Sequence, residues 1–351
     1  MKVVTSLFLS LFVTSALSAA DARFATDDPF VGVYQGTYQT RFAKGVAEAQ
    51  IRALGNGSYD GFIAMKTTRD GVEKLTSVAV ITEFQPGAEQ KVGIAAIHPN
   101  NLDKNRDKPN EKLTFPPMTL TGEITPGKIA GTMLGPWIRE GDATFALARV
   151  KTPQSVTLGA EPPKGAVVIF DGKDRNQWKE AKWKVNAGAL EVGDGNVTTK
   201  QALTNFLLHL EFRTPVMVEA RGQARGNSGV YLRSVFEVQV LDSFGLFPLV
   251  DNDCGGIYQV TPPDLGVVNA CLPPGEWQTY DITYREGDEK ALRLPEITVV
   301  HNGKTVADRV KIPGELVVNG TGGGEVDGGF LMLQNHGNPV QYRNIWVQPI
   351  E

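Results

Sequence analysis

From Gly32 to the C-terminus, short runs of alternating apolar and polar residues are separated by Gly, Pro, Asn and Asp, and no stretch sustains a helical apolar period. Alternation puts successive side chains on opposite faces of a strand, so such a chain buries its apolar faces by pairing strands into sheets. The expected fold class is all-β. Strands are expected at 32–40, 47–53, 59–67 and 77–84, with turns at Gly55-Asn56-Gly57 and Asp70-Gly71. They are expected again at 167–170, 206–213, 229–233, 236–241, 277–284, 297–301, 329–334 and 342–348. Asn302-Gly303 between two β-rich runs predicts a tight hairpin.

A chain of 351 residues has room for two domains. The stretch 151–164 contains Pro153, Pro162 and Pro163, shows no clear alternation, and reads as a linker. Before it, residues 21–150 form a small antiparallel β domain, a barrel or meander, with no catalytic constellation. After it, residues 165–351 combine many strands with almost no helix, which points to two packed antiparallel sheets. His98, before Pro99, reads as a surface residue, and His209 as an outward strand residue opposite Phe206, Leu208 and Leu210.

Residues 1–20 have the parts of a signal peptide: Lys2, an apolar stretch over 3–17, and Ser18-Ala19-Ala20 before Asp21. The stretch is shorter than the ~20 apolar residues a span needs. The mature chain is therefore expected to be exported, periplasmic or extracellular, with no membrane span. A net charge of −4 without any basic run argues against a nucleic-acid partner. In an oxidising compartment the two cysteines, Cys254 and Cys271, are a candidate disulfide worth roughly 3 kcal/mol. The rival reading is two buried thiols. With four histidines and no CxxC, a zinc ribbon or finger is excluded, and no metal ligands are assigned.

Alternation also sorts the polar residues of the second domain. Tyr231 and Arg233 share one face of their strand, Glu237 and Gln239 share a face of the next, and the reverse of both is apolar. Gln334 and His336 share a parity further on, and Asn227 lies just upstream. Planar polar groups beside an aromatic face suit a sugar. The plainer alternative is the solvated face of an ordinary sandwich.

The same domain resembles the 3-keto-disaccharide hydrolase family. The resemblance is carried by Ile169-Phe170-Asp171-Gly172 with Trp178, Trp183-Lys184-Val185, Asn227-Ser228-Gly229-Val230-Tyr231-Leu232-Arg233 and Phe236-Glu237-Val238-Gln239-Val240-Leu241-Asp242. Gly256-Ile257-Tyr258, Gly275-Glu276-Trp277, Leu333-Gln334-Asn335-His336-Gly337 and Tyr342-Arg343-Asn344-Ile345 continue it. Residues 21–150 fall outside it. The resemblance implies a concanavalin-like jelly roll and a carbohydrate substrate whose ring carries a ketone at C3. It implies removal of the acidified C2 hydrogen, elimination at C1 and addition of water, a net hydrolysis.

That chemistry needs a base, for which His336 is the first candidate because imidazole titrates near neutral pH. Glu237 is the alternative base. Arg233 would stabilise the developing oxyanion. Asn227, Tyr231, Gln239, Tyr258 and Gln334 would bind substrate, and Asp242 would either contribute to the site or cap the following turn. No cofactor is assigned. A divalent cation on Glu237 and His336 is conceivable, although no ligand spacing supports one. The other function class is a non-catalytic, lectin-like carbohydrate-binding module.

Mass spectrometry of exported protein is expected to find an N-terminus near Asp21. Full-length protein recovered solely from the cytoplasm would contradict the leader.

Overall fold

The computed structural model describes residues 21–351 apart from 26, 42, 87–95, 98–118, 135–141, 180–181, 288–292 and 320–328. Residues 1–20, read above as a leader, and His98 lie outside the described residues. Eight strands form the first sheet: β1 (Gly32–Thr40), β2 (Lys44–Gly55), β3 (Ser58–Arg69), β4 (Val72–Phe84), β5 (Ala96–Ile97), β6 (Thr119–Thr125), β7 (Lys128–Leu134) and β8 (Ala143–Arg149). Their order, β5-β4-β3-β2-β1-β8-β7-β6, is antiparallel throughout. It is the expected meander, closed through β1 and β8 rather than run in simple sequence.

The second unit contains β9 (Val167–Phe170), β10 (Trp178–Lys179), β11 (Lys184–Asn186), β12 (Ala189–Glu191), β13 (Val197–Ala202), β14 (Phe206–Arg213), β15 (Ser228–Leu232) and β16 (Phe236–Val240). It continues with β17 (Gln278–Arg285), β18 (Glu296–His301), β19 (Lys304–Lys311), a short helix α1 (Gly314–Asn319), β20 (Phe330–Leu333) and β21 (Gln341–Pro349). One sheet runs β10-β13-β20-β15-β16 and the other β11-β12-β21-β14-β17-β18-β19, with β9 added on β21. Phe206, Leu208, Leu210 and Phe212 of β14 face Val230, Leu232, Val238, Val240, Leu331 and Leu333 of the opposite sheet in one core, all at most 1% exposed. Each such side chain contributes about 1.5–3 kcal/mol by leaving water. Two stacked antiparallel sheets are the sandwich expected from the alternation. Asn302 and Gly303 have φ of 49° and 76°, the left-handed pair that a tight hairpin between β18 and β19 requires.

The stretch 151–164 is no free connector. It lies across the outer face of the larger sheet, where Thr157 Oγ1 donates to Asp281 Oδ2 at 2.7 Å and Gly159 N to Glu211 Oε1 at 2.6 Å. Ala160 O accepts from Trp346 Nε1 and Asn344 Nδ2 at 3.2 and 3.0 Å. His209 does point outward, but this strap leaves it fully buried, stacked on Trp346 and 2.6 Å from Asp281 Oδ1. Burial there needs partners, and the strap and its neighbours provide them.

The first sheet packs on loops of the sandwich. Gln50 Oε1 accepts from Gly245 N at 2.9 Å, and Phe62 meets Phe247 with ring centroids 5.9 Å apart. Gly245 has φ of 77°, and a Cβ there would stand 3.0 Å from Arg52 Cγ, so glycine permits both the turn and the approach. At the centre of the junction Arg225 is buried. Its Nε donates to Asp242 Oδ2 at 2.6 Å and its Nη1 to Ala53 O at 3.1 Å.

Removing one member of a buried ion pair strands the other in a dry environment. Arg225→Ala is expected to cost about 3–5 kcal/mol in urea unfolding. Lys173→Ala, which breaks the exposed pair with Asp171, is expected to leave the unfolding curve unchanged.

Candidate active site

The outer face of the smaller sheet carries a cleft of about 240 Å³. Strand β16 supplies Glu237 and Gln239 to it, since alternation turns Phe236, Val238 and Val240 into the core. The end of β20 and the following loop supply Gln334 and His336, and the loop before β15 supplies Asn227. Tyr258 comes from the long β16–β17 loop, whose backbone rides on β16 through Tyr258 N donating to Glu237 O at 3.0 Å. The cleft thus gathers Asn227, Glu237, Gln239, Tyr258, Gln334 and His336 from the expected set.

The cleft face is not the solvated face of an ordinary sandwich: Tyr231, Glu237 and Gln239 are buried under loops. Glu237 lies over Gly229, where a Cβ would stand 2.4 Å from Oε1, so glycine makes room for the carboxylate. Tyr231 Oη donates to Glu237 Oε2 at 2.8 Å, and Gln334 Nε2 donates to Tyr231 Oη at 3.1 Å. Burial raises the Glu237 carboxyl to about 7, with the Tyr231 hydrogen bond opposing it. Tyr231 is thus a support behind Glu237, and its own hydroxyl is pushed up by burial and by the neighbouring carboxylate. His336 is exposed at the mouth.

Around the carboxylate stand amides. Gln223 Oε1 accepts from Asn227 Nδ2 at 2.9 Å and from Gln239 Nε2 at 3.3 Å, while its Nε2 donates to Asn252 O at 2.8 Å. These bonds use the NH₂ groups and leave Asn227 Oδ1, Gln239 Oε1 and Gln334 Oε1 buried without partners. Buried acceptors are ordinarily satisfied, so three orphans around one cleft mark a place for donors.

Two expected site residues are elsewhere. Strand β15 ends at Leu232, and Arg233 takes φ of 56° in the hairpin turn, where it pairs with Glu286. The break in extended backbone removes it from the face that Tyr231 occupies, and it does not line the cleft. Asp242 is consumed by Arg225 and closes no part of the cleft. Cys254 and Cys271 are buried free thiols rather than a bridge: Cys254 Sγ lies 3.1 Å from Tyr280 Oη. Gln223 and Gln259 line the cleft unforeseen. Gln223 sits in a single 3₁₀ turn, 222–224, and Gln259 in an irregular loop, and neither is long enough for periodicity to point a side chain. Glu237 and His336 share the cleft, but no third His, Cys, Asp or Glu completes a cluster with them among the described residues.

Residues 165–348 match the family model described as the 3-keto-alpha-glucoside-1,2-lyase-like domain. A curated relative, the 3-keto-disaccharide hydrolase of Bacteroides thetaiotaomicron, is 25% identical over 243 residues, which cover 53% of this chain and 79% of that protein. A crystal structure of a glycosyl hydrolase, so titled, from Parabacteroides distasonis is 33% identical, with a TM-score of 0.47 over 53% of this chain and 84% of that one. A second from the same organism is 20% identical, with a TM-score of 0.40 over 54% and 95%.

The raised carboxyl of Glu237 has a thermodynamic signature. The folded protein holds this proton more tightly than the unfolded chain, whose glutamates titrate at about 4.3. The contribution is full below the unfolded value and is lost as pH rises through about 7. Wild-type protein is expected to lose on the order of 3 kcal/mol across that window. Glu237→Gln should flatten this part of the stability–pH curve in urea titrations, and an unchanged slope would contradict the shift.

Proposed function

The chain belongs, through residues 165–348, to the 3-keto-alpha-glucoside-1,2-lyase-like domain family, and on that premise we propose that it is an exported enzyme cleaving 3-keto-glycosides in the cleft around Glu237. The observation that carries this reading is one buried carboxylate raised to about 7 beside three buried amide oxygens without partners. Sugar hydroxyls are the donors that such oxygens lack, and Asn227, Gln239 and Gln334 would orient the ring by them. Tyr258 offers an aromatic surface at the wall.

A ketone at C3 acidifies the hydrogen on C2. Glu237 takes that proton, and the electrons pass into the enediolate. A carboxylate with a conjugate acid near neutrality is a stronger base than an ordinary one, and it is still ionised in a useful fraction at pH 7. Its burial favours it over His336 for this step. His336, open to solvent at the mouth, gives a proton to the departing oxygen as the C1–O bond breaks. Water then adds at C1, giving its proton to His336, and Glu237, whose proton has exchanged with solvent, protonates C2. Arg233, held by Glu286 and outside the cleft lining, is not assigned to the oxyanion. This differs from ordinary glycoside hydrolysis, where two carboxylates flank the scissile bond.

Incubation of the purified protein with 3-keto-glucosides in deuterated water is expected to release the aglycone and to place deuterium at C2 of the sugar. Glu237→Gln should lower kcat by about 10²–10⁴-fold with little change in KM. Hydrolysis without deuterium at C2 would overturn the elimination route. Tight binding of the ketosugar without turnover would make the domain a binding module.

A further inference from the structure

Behind the cleft, on the core side of β16, a second group of chemistry-bearing side chains is unused by any step above. Cys254 and Cys271 lie within the β16–β17 loop on either side of Tyr258, and His301 ends β18. Their ligand atoms all lie within 4.8 Å of one another, and none of the three residues is more than 2% exposed.

The decisive atom is His301 Nδ1. Gln278 Oε1 accepts from Leu272 N at 2.9 Å and from Asn302 Nδ2 at 3.1 Å, so it is firmly a carbonyl oxygen. His301 Nε2, 2.9 Å from that oxygen, must therefore be the protonated nitrogen. The tautomer leaves a lone pair on Nδ1, and that atom is buried without any partner. A histidine whose one nitrogen donates to a fixed carbonyl while the other offers a lone pair is oriented as a metal ligand. Gly255 keeps the adjoining space open, since a Cβ there would stand 3.5 Å from Nδ1.

We propose that Cys254, Cys271 and His301 bind a thiophilic divalent cation of the zinc type. Two thiolates and a neutral imidazole give such a cation a net charge of zero, the form least costly to bury. The two thiol protons leave with binding. Zinc takes sulfur at about 2.3 Å and nitrogen at about 2.0–2.1 Å, which needs only a small contraction of the present group. Tyr280 Oη, 3.1 Å from Cys254 Sγ, is the neutral oxygen at hand for the fourth tetrahedral position. A disulfide would use both sulfurs and leave Nδ1 an orphan, whereas a cation satisfies all three residues at once. Such a centre would clip the loop to the sheet on both sides of Tyr258. Through Tyr280 Oη donating to Gln239 O at 2.6 Å, it would also brace the strand under the active site.

The test uses the full chain, purified from zinc-supplemented cells without chelator. Elemental analysis is expected to find one zinc per chain, released on denaturation together with two titratable thiols. Replacement by cobalt should give a thiolate charge-transfer band. Cys271→Ser and His301→Gln should each lower the metal content at least tenfold. If these variants do not fold, the wild-type metal ratio and cobalt spectrum decide alone. Wild-type protein with no metal overturns the proposal, whether denaturation exposes two free thiols or shows them bridged. Retention of stoichiometric zinc by Cys271→Ser would overturn it equally.

Discussion

The buried Arg225–Asp242 pair is the interaction on which the arrangement of the molecule depends. Arg225 reaches Ala53 O in the first sheet and Val218 O and Ala220 O in the loop before β15, while Asp242 N returns a bond to Arg225 O at 3.1 Å. The first sheet, the loop bearing Gln223 and the end of β16 thus meet at one guanidinium. Its planar fork suits this task, because several donors are held in a fixed geometry that a lysine could not match. The small β domain, for which sequence suggested no function, is in structural terms a buttress for the cleft wall. Arg221 Nη2, which donates to Leu54 O, reinforces the same contact.

Two glutamates show how environment divides a single residue type. Glu211 lies under the strap and accepts from Gly159 N, Asn344 and Arg343, and these bonds with His209 hold its carboxyl down to about 2 despite burial. Glu237 is similarly hidden, but there burial outweighs the neutral donor Tyr231 and carries the carboxyl up to about 7. The first arrangement fixes a charge and stabilises a sheet face. The second keeps a proton within easy exchange near neutrality, as acid–base chemistry requires. The contrast separates a network that fixes a charge from one that holds a proton, on two sheets of the same sandwich.

The β16–β17 loop joins the remaining parts. It is long and irregular, yet its backbone is tied to β16 by Gln239 N donating to Gly256 O and Gly255 N donating to Gln239 O. Ser243, Asp253 and Asn269 close its interior with side-chain bonds. The loop can therefore present Tyr258 and Gln259 as a firm wall instead of a mobile flap, which limits the reorganisation needed on binding.

Much of this was legible without coordinates. Alternation alone identified β1–β4, β9, β14–β18, β20 and β21 and the faces on which Glu237 and Gln239 lie, because side-chain direction in a strand is a local property of the backbone. The Asn302-Gly303 hairpin was equally local. Arg233 was misplaced by one residue of extended backbone: a left-handed turn residue leaves the parity of the strand it follows. His209 and the 151–164 strap were misjudged because burial depends on what else packs against a face, and the strap is distant in sequence from every strand it covers. Asp242 and Arg225, Gln223 and Asn227, and the meeting of Cys254, Cys271 and His301 are likewise long-range pairings. Strand periodicity, and with it the all-β class and the polar face, was determined by the sequence itself. The partner of each polar group, and hence which carboxylate stays charged and which holds its proton, was decided only by tertiary packing, because desolvation and hydrogen bonding are set by neighbours that no local pattern names.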